Sequence, residues 1–269
     1  MGVSEHRFLK VRRTLVDVSS AAARRDGILM YRPGRAVLRL AVRVASCFAW
    51  LPWPGRIRWR NVLDGFDLEA AIGKVKYVTI YTGNGSARSK YTLKAKMDDG
   101  TNRSLVVKAA RTAGGGAAIE HEAHVLRELD GMDGRVPRLL AEGRQGAWTW
   151  SAQSELPAGE SPVVLGPAHR EFLEALKAKG YSHGDFAPWN CAIAEGRLVV
   201  WDWEEAHDYV AGEDERHFAH QVQTLLTRNL KTSPRSPLSN SVLAGACARL
   251  RRCFATFPPK RCAFLRRMR

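Results

Sequence analysis

Residues 181–205 read YSHGDFAPWNCAIAEGRLVVWDWEE, and this stretch carries the densest group of polar side chains in the chain. It contains the pattern H-x-D-x-x-x-x-N, which runs from His183 through Asp185 to Asn190. Two short apolar runs on either side of a glycine predict a β-hairpin, and Asp202 directly follows the second run. Such a hairpin would bring the carboxylates of Asp185 and Asp202 into one cleft.

Two carboxylates and an amide in one cleft are the groups that phosphoryl transfer requires. Magnesium takes a few oxygen ligands from the protein and the rest from phosphate and water, so Asn190 and Asp202 are the candidate metal ligands. Asp185 is the candidate base that orients the attacking hydroxyl and accepts its proton. The sequence therefore predicts a site for a nucleotide and Mg²⁺ in which Asp185, Asn190 and Asp202 are catalytic.

A cation is expected beside the transferred phosphates, because negative charge spreads over the phosphoryl group in the transition state. Lys108, in the apolar run at residues 105–109, is the candidate. Glu122, in the helical stretch that follows, is the candidate partner that holds Lys108 in place. Glu120 lies on the same stretch and is the alternative. Glu122 is preferred because an apolar Val-Leu-x-x-Leu run follows it.

On the N-terminal side of this polar stretch, three segments with the pattern of β-strands are separated by turn residues. They predict a three-stranded antiparallel meander. The loop TGNGSARS at residues 82–89 joins its first two strands, and its Gly83, Gly85 and Ser86 are candidate nucleotide-binding residues. Their backbone N–H groups would cover the phosphates, whereas a plain hairpin turn is the alternative. The predicted strands are residues 74–81, 90–97 and 105–109.

Hydrophobic periodicity predicts the elements between the meander and the polar cluster. Glycines indicate a flexible joint before a helix. The predictions are a joint at residues 114–116, a helix at 118–129, strands at 136–143 and 146–157, and a helix within 167–180.

HGDFAPWN followed by VVWDWE resembles the catalytic and metal-binding loops of the aminoglycoside phosphotransferase and choline kinase group, part of the protein-kinase-like superfamily. The resemblance covers residues 73–225 and includes the order of the parts. It implies that Asp185 is the catalytic base and that Asn190 and Asp202 hold the metal. It implies that Lys108 contacts the phosphates and that Glu122 pairs with Lys108. It also implies that His183 supports the loop, and that Glu155 and Leu156 border the adenine.

The resemblance implies an α+β, bilobal protein-kinase-like fold with a small antiparallel-sheet N-lobe and a minimal helical C-lobe. Residues 1–65 are predicted to form a separate, basic and mostly helical extension. Residues 66–157 are predicted to form the N-lobe, and residues 158–269 a compact C-lobe with a basic tail.

The charge balance bears on the acceptor. The chain has 42 Lys and Arg against 27 Asp and Glu, a formal net charge of +15, which favours anionic partners. The expected acceptor is a hydroxyl-bearing small molecule, sugar or lipid-linked glycan, anionic rather than a polycationic aminoglycoside. Specific nucleic-acid binding is not expected, because no recognition motif accompanies the charge.

The expected activity is ATP- and Mg²⁺-dependent transfer of the γ-phosphate to an alcohol group of such an acceptor. The alternative is a nucleotide-binding pseudokinase or scaffold, which the short C-lobe favours and which predicts nucleotide binding without transfer. A protein kinase is less favoured, because residues 203–210 (WEEAHDYV) lack the features of an activation segment.

Residues 36–53 (AVLRLAVRVASCFAWLPW) contain two arginines, which argues against a spanning helix. One interpretation is a helix that packs on the body. The other is an amphipathic helix that, with the basic stretch at residues 249–269, contacts the inner membrane face. Five cysteines without a C-x-x-C pair favour a reducing, cytoplasmic location. His207, His217 and His220 are assigned to surface or helix packing rather than to a metal site.

Overall fold

Most of the strands join one large antiparallel sheet. A computed structural model describes residues 5–30, 42, 44–83, 88–101 and 103–232 of the chain. The order of the strands across the sheet is β3-β1-β2-β4-β5-β6-β8-β7, and all neighbours are antiparallel. They are β1 (Arg7–Val11), β2 (Thr14–Asp17), β3 (Ile57–Arg58), β4 (Val75–Thr82), β5 (Tyr91–Met97), β6 (Ser104–Ala110), β7 (Leu139–Gln145) and β8 (Trp148–Ser154).

Two short antiparallel ladders and several helices accompany this sheet. One ladder pairs β10 (Cys191–Ala194) with β11 (Arg197–Val200), and the other pairs β9 (Tyr181–Ser182) with β12 (His207–Asp208). The helices are α1 (Ala21–Met30), α2 (Leu68–Ile72), α3 (Ala113–Leu129), α4 (Pro167–Ala178) and α5 (Glu213–Thr232). The predicted α+β class is therefore confirmed.

The chain divides into one unit from Met1 to Val222 and a second from Gln223 to Arg269. The sheet, both ladders and the first four helices belong to the first unit. In the second unit the described part is the end of α5. Across the described residues, no helix is both long and apolar enough to cross a membrane.

The predicted meander is confirmed as β4, β5 and β6. On β6, Leu105, Val107 and Ala109 are buried in a core cluster that covers one face of the sheet. Because successive side chains of a strand point to opposite faces, Lys108 lies on the other face. This alternation directs the lysine away from the apolar core.

The prediction that residues 1–65 form a separate extension is wrong for the described part of that range. β1 pairs with β2, and β2 pairs with β4. Phe8 and Leu15 are buried in the same cluster as Ile80 of β4. The basic composition suggested a separate region. Burial of these apolar side chains is favourable, however, and it holds this segment on the sheet. The domain boundary predicted at residue 157 stays a prediction.

The flexible joint predicted at residues 114–116 is also wrong, because these glycines form the first turn of α3. The helix begins there because the Thr112 side chain accepts the N–H of Gly115. A Cβ added at Gly115 would lie 2.8 Å from the Cβ of Ala110. Glycine therefore allows the start of α3 to approach the sheet closely.

A second hydrophobic cluster lies on the C-terminal side of α3. It joins Leu126 of α3 to Phe172 of α4, Phe186 of the 181–205 stretch and Phe218 of α5. Since α3 also contacts β6 and β8, this helix connects the sheet to the polar stretch.

The described end of the 36–53 segment contacts the body of the protein. The carbonyl of Ala49 accepts a hydrogen bond from Arg24 Nε at 2.7 Å, whereas Trp50 is exposed. Residues 36–41, 43 and 249–269 lie outside the described residues. Membrane contact through these segments stays a prediction.

Candidate active site

Lys108 is the centre of a buried ionic cluster. Its Nζ lies 2.6 Å from Glu122 Oε1 and 2.7 Å from Asp202 Oδ1. Burial by itself would lower the pKa of Lys108, but attraction to Asp202 and Glu122 raises it above its ordinary value. Lys108 therefore stays charged although it is only 5% exposed.

Glu122, rather than Glu120, is the partner of Lys108. Glu122 is fully buried on α3, and its Oε1 also accepts the backbone N–H of Trp203 at 3.1 Å. Its Oε2 has no hydrogen-bond partner among the residues that the structure describes. Glu120 instead pairs with Arg144 at the surface. One carboxylate oxygen thus fixes both Lys108 and the backbone next to Asp202.

Asp202 receives two ammonium groups on the same oxygen. In addition to Lys108, Lys90 Nζ lies 3.0 Å from Asp202 Oδ1. Burial would raise the pKa of Asp202, but Lys108 and Lys90 hold it well below its usual range. Asp202 also has a φ of 70°, an unfavourable conformation for a residue other than glycine. Strained conformations of this kind are concentrated at functional sites.

The second part of the cluster is the loop from Asp185 to Asn190. Asn190 Nδ2 donates to Asp185 Oδ2 at 2.8 Å and to the Asp185 carbonyl at 2.9 Å. Trp201 N donates to the carbonyl of Asn190 at 3.0 Å, which extends the β10–β11 ladder by one step. The predicted hairpin thus brings Asn190 next to the residue that precedes Asp202.

His183 and Gly184 anchor this loop. Asp214, in the first turn of α5, accepts the backbone N–H of His183 at 2.8 Å and of Gly184 at 3.1 Å. Burial lowers the pKa of His183, so its ring is neutral, and it contacts the carbonyl of Trp201. At Gly184, where φ is 77°, an added Cβ would lie 2.1 Å from the Glu205 carbonyl oxygen. Only glycine fits this position.

His217 and Lys90 are two members of the cluster that the sequence did not indicate. His217, assigned from the sequence to packing, has its Nε2 3.0 Å from Asp185 Oδ1. Lys90 was assigned only to a strand, but its Nζ also lies 2.6 Å from Glu204 Oε2. The high content of basic residues at 88–96 could have indicated Lys90. No local sequence pattern indicates His217.

The candidate residues of the loop at 82–89 are only partly described. Gly83 N donates to the carbonyl of Lys90 at 3.1 Å and closes the base of the loop. A Cβ at Gly83 would lie 2.7 Å from that carbonyl oxygen, so the position requires glycine. Gly85 and Ser86 lie outside the described residues.

Glu155 and Leu156 border an open groove of about 660 Å³ at the end of β8. Glu155 is paired with Lys94 of β5. Ser104 of β6 also borders the groove and, four residues from Lys108, lies on the same face of that strand. At ~3.3 Å per residue, the groove begins ~13 Å from the lysine. The lining residues are Arg103, Ser104, Leu105, Leu140, Ser154, Glu155, Leu156, Pro157 and Ala158.

The donor groups fit a magnesium ion that arrives with phosphate. The carboxylate of Asp202 and the amide oxygen of Asn190 are hard oxygen ligands of the kind Mg²⁺ prefers. Within the described ranges, no three His, Cys, Asp or Glu side chains form a group that could hold a metal. A fixed all-protein cage is therefore not present there, and phosphate and water would have to supply the remaining ligands.

Comparisons with known proteins were made for the whole chain. No model of a protein family matches it, and no curated protein sequence matches it.

Proposed function

We propose that this protein is an ATP- and Mg²⁺-dependent phosphotransferase. It moves the γ-phosphate to a hydroxyl group of a small molecule, a sugar or a lipid-linked glycan. The observation that carries the proposal is the contact of Lys108 Nζ with both Glu122 and Asp202. The resemblance of residues 181–205 to phosphotransferase loops supports the same assignment. The proposed protein-kinase-like bilobal fold rests on that resemblance.

The phosphates of the nucleotide would bind at Lys108. Glu122, which is fully buried, holds the ammonium group toward the cluster. Asp202 is ionised and would give up its lysine contacts to become a metal ligand together with Asn190. Bound Mg²⁺ would neutralise the charge that develops on the transferred phosphoryl group.

Asp185 would accept the proton of the acceptor hydroxyl. Asn190 donates to one of its carboxylate oxygens, and His217 contacts the other. These two contacts fix the orientation of the carboxylate, which is what a positioned base requires. His217 would act as a positioning residue, because it reaches the acceptor only through Asp185.

The groove beside Glu155 and Leu156 would hold the nucleoside. Ser104, one of its lining residues, lies on the Lys108 face of β6, so a nucleotide would lie along the strand with its phosphates toward Lys108. Trp189, within the Asp185–Asn190 loop, is 45% exposed. An exposed indole in the loop that carries Asp185 offers a flat apolar surface for a sugar ring, which favours a sugar or glycan acceptor.

The proposal is tested by transfer of labelled γ-phosphate from ATP in the presence of Mg²⁺. The acceptor panel would include sugars, sugar phosphates and glycolipids. We expect acceptor-dependent transfer that Asp185→Asn lowers by about 10²- to 10⁴-fold, the usual contribution of a positioned base. Nucleotide affinity of that variant should stay near that of the wild type, because Asp185 does not contact Lys108 or Asp202.

Two results would contradict the proposal. Equal transfer rates in the wild type and Asp185→Asn would remove Asp185 from its role. Nucleotide binding without transfer to any member of the panel would support the pseudokinase alternative.

A further inference from the structure

Lys90 follows the loop at residues 82–89 in the sequence and contacts the acidic segment that begins at Asp202. Its Nζ is 3.0 Å from Asp202 Oδ1 and 2.6 Å from Glu204 Oε2. Its side chain is 15% exposed, compared with 7% for Lys108. The ammonium group of Lys90 is therefore more accessible than that of Lys108, although both bind the same carboxylate oxygen.

The two cations at Asp202 are placed to meet a polyanion that brings its own divalent metal. Two ammonium groups, from Lys90 and Lys108, converge on one oxygen, and Glu204 and Glu122 flank them. A divalent cation that bound Asp202 alone would lie close to both ammonium groups and be repelled. A metal that arrives with a polyphosphate removes this conflict, because the phosphate oxygens offer the lysines new acceptors.

The backbone places Lys90 where phosphates are expected. Its carbonyl accepts the N–H of Gly83, so it forms the base of the loop whose N–H groups were predicted to cover the phosphates. Lys90 directly precedes β5, and Thr92 of that strand is opposite Lys108 of β6. The two lysines therefore reach the same space from neighbouring strands.

We propose that Lys90 is a second phosphate-binding residue, which exchanges Asp202 and Glu204 for phosphate oxygens when a metal-bound nucleoside triphosphate enters. This inference rests on the proposed function and adds a residue to the same site. Glu204 is then a competitor that holds Lys90 while the nucleotide is absent. Lys108 keeps its contact with Glu122 throughout.

The competing interpretation is a structural ion pair that ties the loop to the acidic segment, as Arg88 and Glu205 also do. The two interpretations predict different effects for the partners of Lys90. In a structural pair, loss of either member has the same effect. If Lys90 binds phosphate, loss of Lys90 weakens binding, whereas loss of the Glu204 charge does not.

The test measures the affinity of the full chain for ATP and for adenosine in the presence of Mg²⁺. We expect Lys90→Met to weaken ATP binding by about 10- to 100-fold, the effect of one lost charge-assisted hydrogen bond. Adenosine affinity should not change, and Lys90→Arg should retain most of the ATP affinity. Glu204→Gln should bind ATP at least as tightly as the wild type.

Lys76→Met is the matched control, because Lys76 is an exposed lysine on the neighbouring strand β4. It should bind ATP as the wild type does. Thermal unfolding of each variant verifies that the fold is retained.

Equal losses of affinity for ATP and adenosine in Lys90→Met would overturn the inference. So would a loss in Glu204→Gln as large as that in Lys90→Met. In both cases wild-type binding of ATP would leave the proposed function standing. A wild type that binds no nucleotide would overturn the inference and the proposed function together.

Discussion

At the scale of single residues, the folded protein tolerates the buried charge of Lys108 only because carboxylates pair with it. A buried ammonium group without partners is costly, and removing one partner of a buried pair typically costs about 3–5 kcal/mol. Glu122 and Asp202 both contribute here, but one oxygen of Glu122 has no hydrogen bond to any part of the chain that the structure describes. Such an incompletely satisfied group lowers stability, and its persistence is typical of a functional site.

The sequence anticipated some of these residues and not others, for a physical reason. Asp185, Asn190 and Asp202 lie in one short stretch, so their spacing was enough to predict them as a site. Lys108 and Glu122 followed from their order along the chain. His217 reaches Asp185 only because α5 packs against the loop, and this tertiary contact leaves no trace in local periodicity.

His169, buried on α4, makes stability depend on pH. Its Nδ1 accepts the N–H of Gly166 at 3.0 Å, and within the described ranges its Nε2 has no hydrogen-bond partner. Burial lowers its pKa from the ordinary value of 6.5. Below that value the unfolded chain binds a proton that the folded chain does not, so stability falls as pH falls. Above it, both states are neutral and the contribution is complete.

We therefore expect the free energy of unfolding in urea to fall between pH ~7.5 and pH ~5.5, with His169 contributing at most about 1.4 kcal/mol per pH unit. His169→Gln should have a shallower dependence on pH. His124→Gln, at an exposed position of α3, is the control. Equal pH dependence in His169→Gln and the wild type would contradict the assignment.

At the scale of elements, α5 fixes the loop that carries Asp185. Asp214 is 5% exposed and accepts both N–H groups that precede Asp185. Burial raises the pKa of Asp214 above its ordinary value, while the backbone N–H of His183 opposes that shift. The first turn of α5 thus satisfies backbone donors of the loop that would otherwise be buried without partners.

We expect Asp214→Ala to lower the free energy of unfolding by about 2–6 kcal/mol, because each buried donor left without an acceptor costs about 1–3 kcal/mol. Phosphate transfer should fall further than nucleotide affinity, since the loop holds Asp185 and not Lys108. Glu215→Ala, at the next and exposed position, is the matched control for loss of an acid from the same helical turn. Unchanged stability in Asp214→Ala would show that α5 does not support the loop.

The strands show where local patterns suffice, and the first turn of α3 shows where they fail. The meander β4–β6 and the β10–β11 hairpin were predicted because alternation and turn residues are local signals; Glu195 and Gly196 at the hairpin turn both have positive φ. The glycines at residues 114–116 were misread, because their helical state depends on the Thr112 cap and on contact with the sheet.

At the scale of the whole molecule, the N-terminal residues complete the sheet. Phe8, Leu15 and Val16 are buried, and His6 pairs with the fully buried Asp17. The prediction that residues 1–65 form a separate extension rested on composition, because many arginines lie near this segment. Strand pairing over this distance in sequence depends on the other strands, so no local window could specify it.

Helix α3 contacts the sheet at β6 and β8 and contributes to the second hydrophobic cluster, so it links the residues of the polar site. Lys108 belongs to the sheet, Asp202 and Asn190 to the stretch beyond it, and Glu122 to the helix between them. A nucleotide that binds this cluster should require its metal, because Asp202 must exchange lysine contacts for metal contacts.

The affinity for ATP, measured by calorimetry with and without Mg²⁺, tests the central claim most directly. We expect Mg²⁺ to raise the affinity of the wild type by at least about tenfold, or ~1.4 kcal/mol. Asp202→Ala should lose this increment, whereas Asp208→Ala, at an exposed acid of β12, should keep it. Wild-type affinity that is independent of Mg²⁺, or an Asp202→Ala variant with the full increment, would contradict the account.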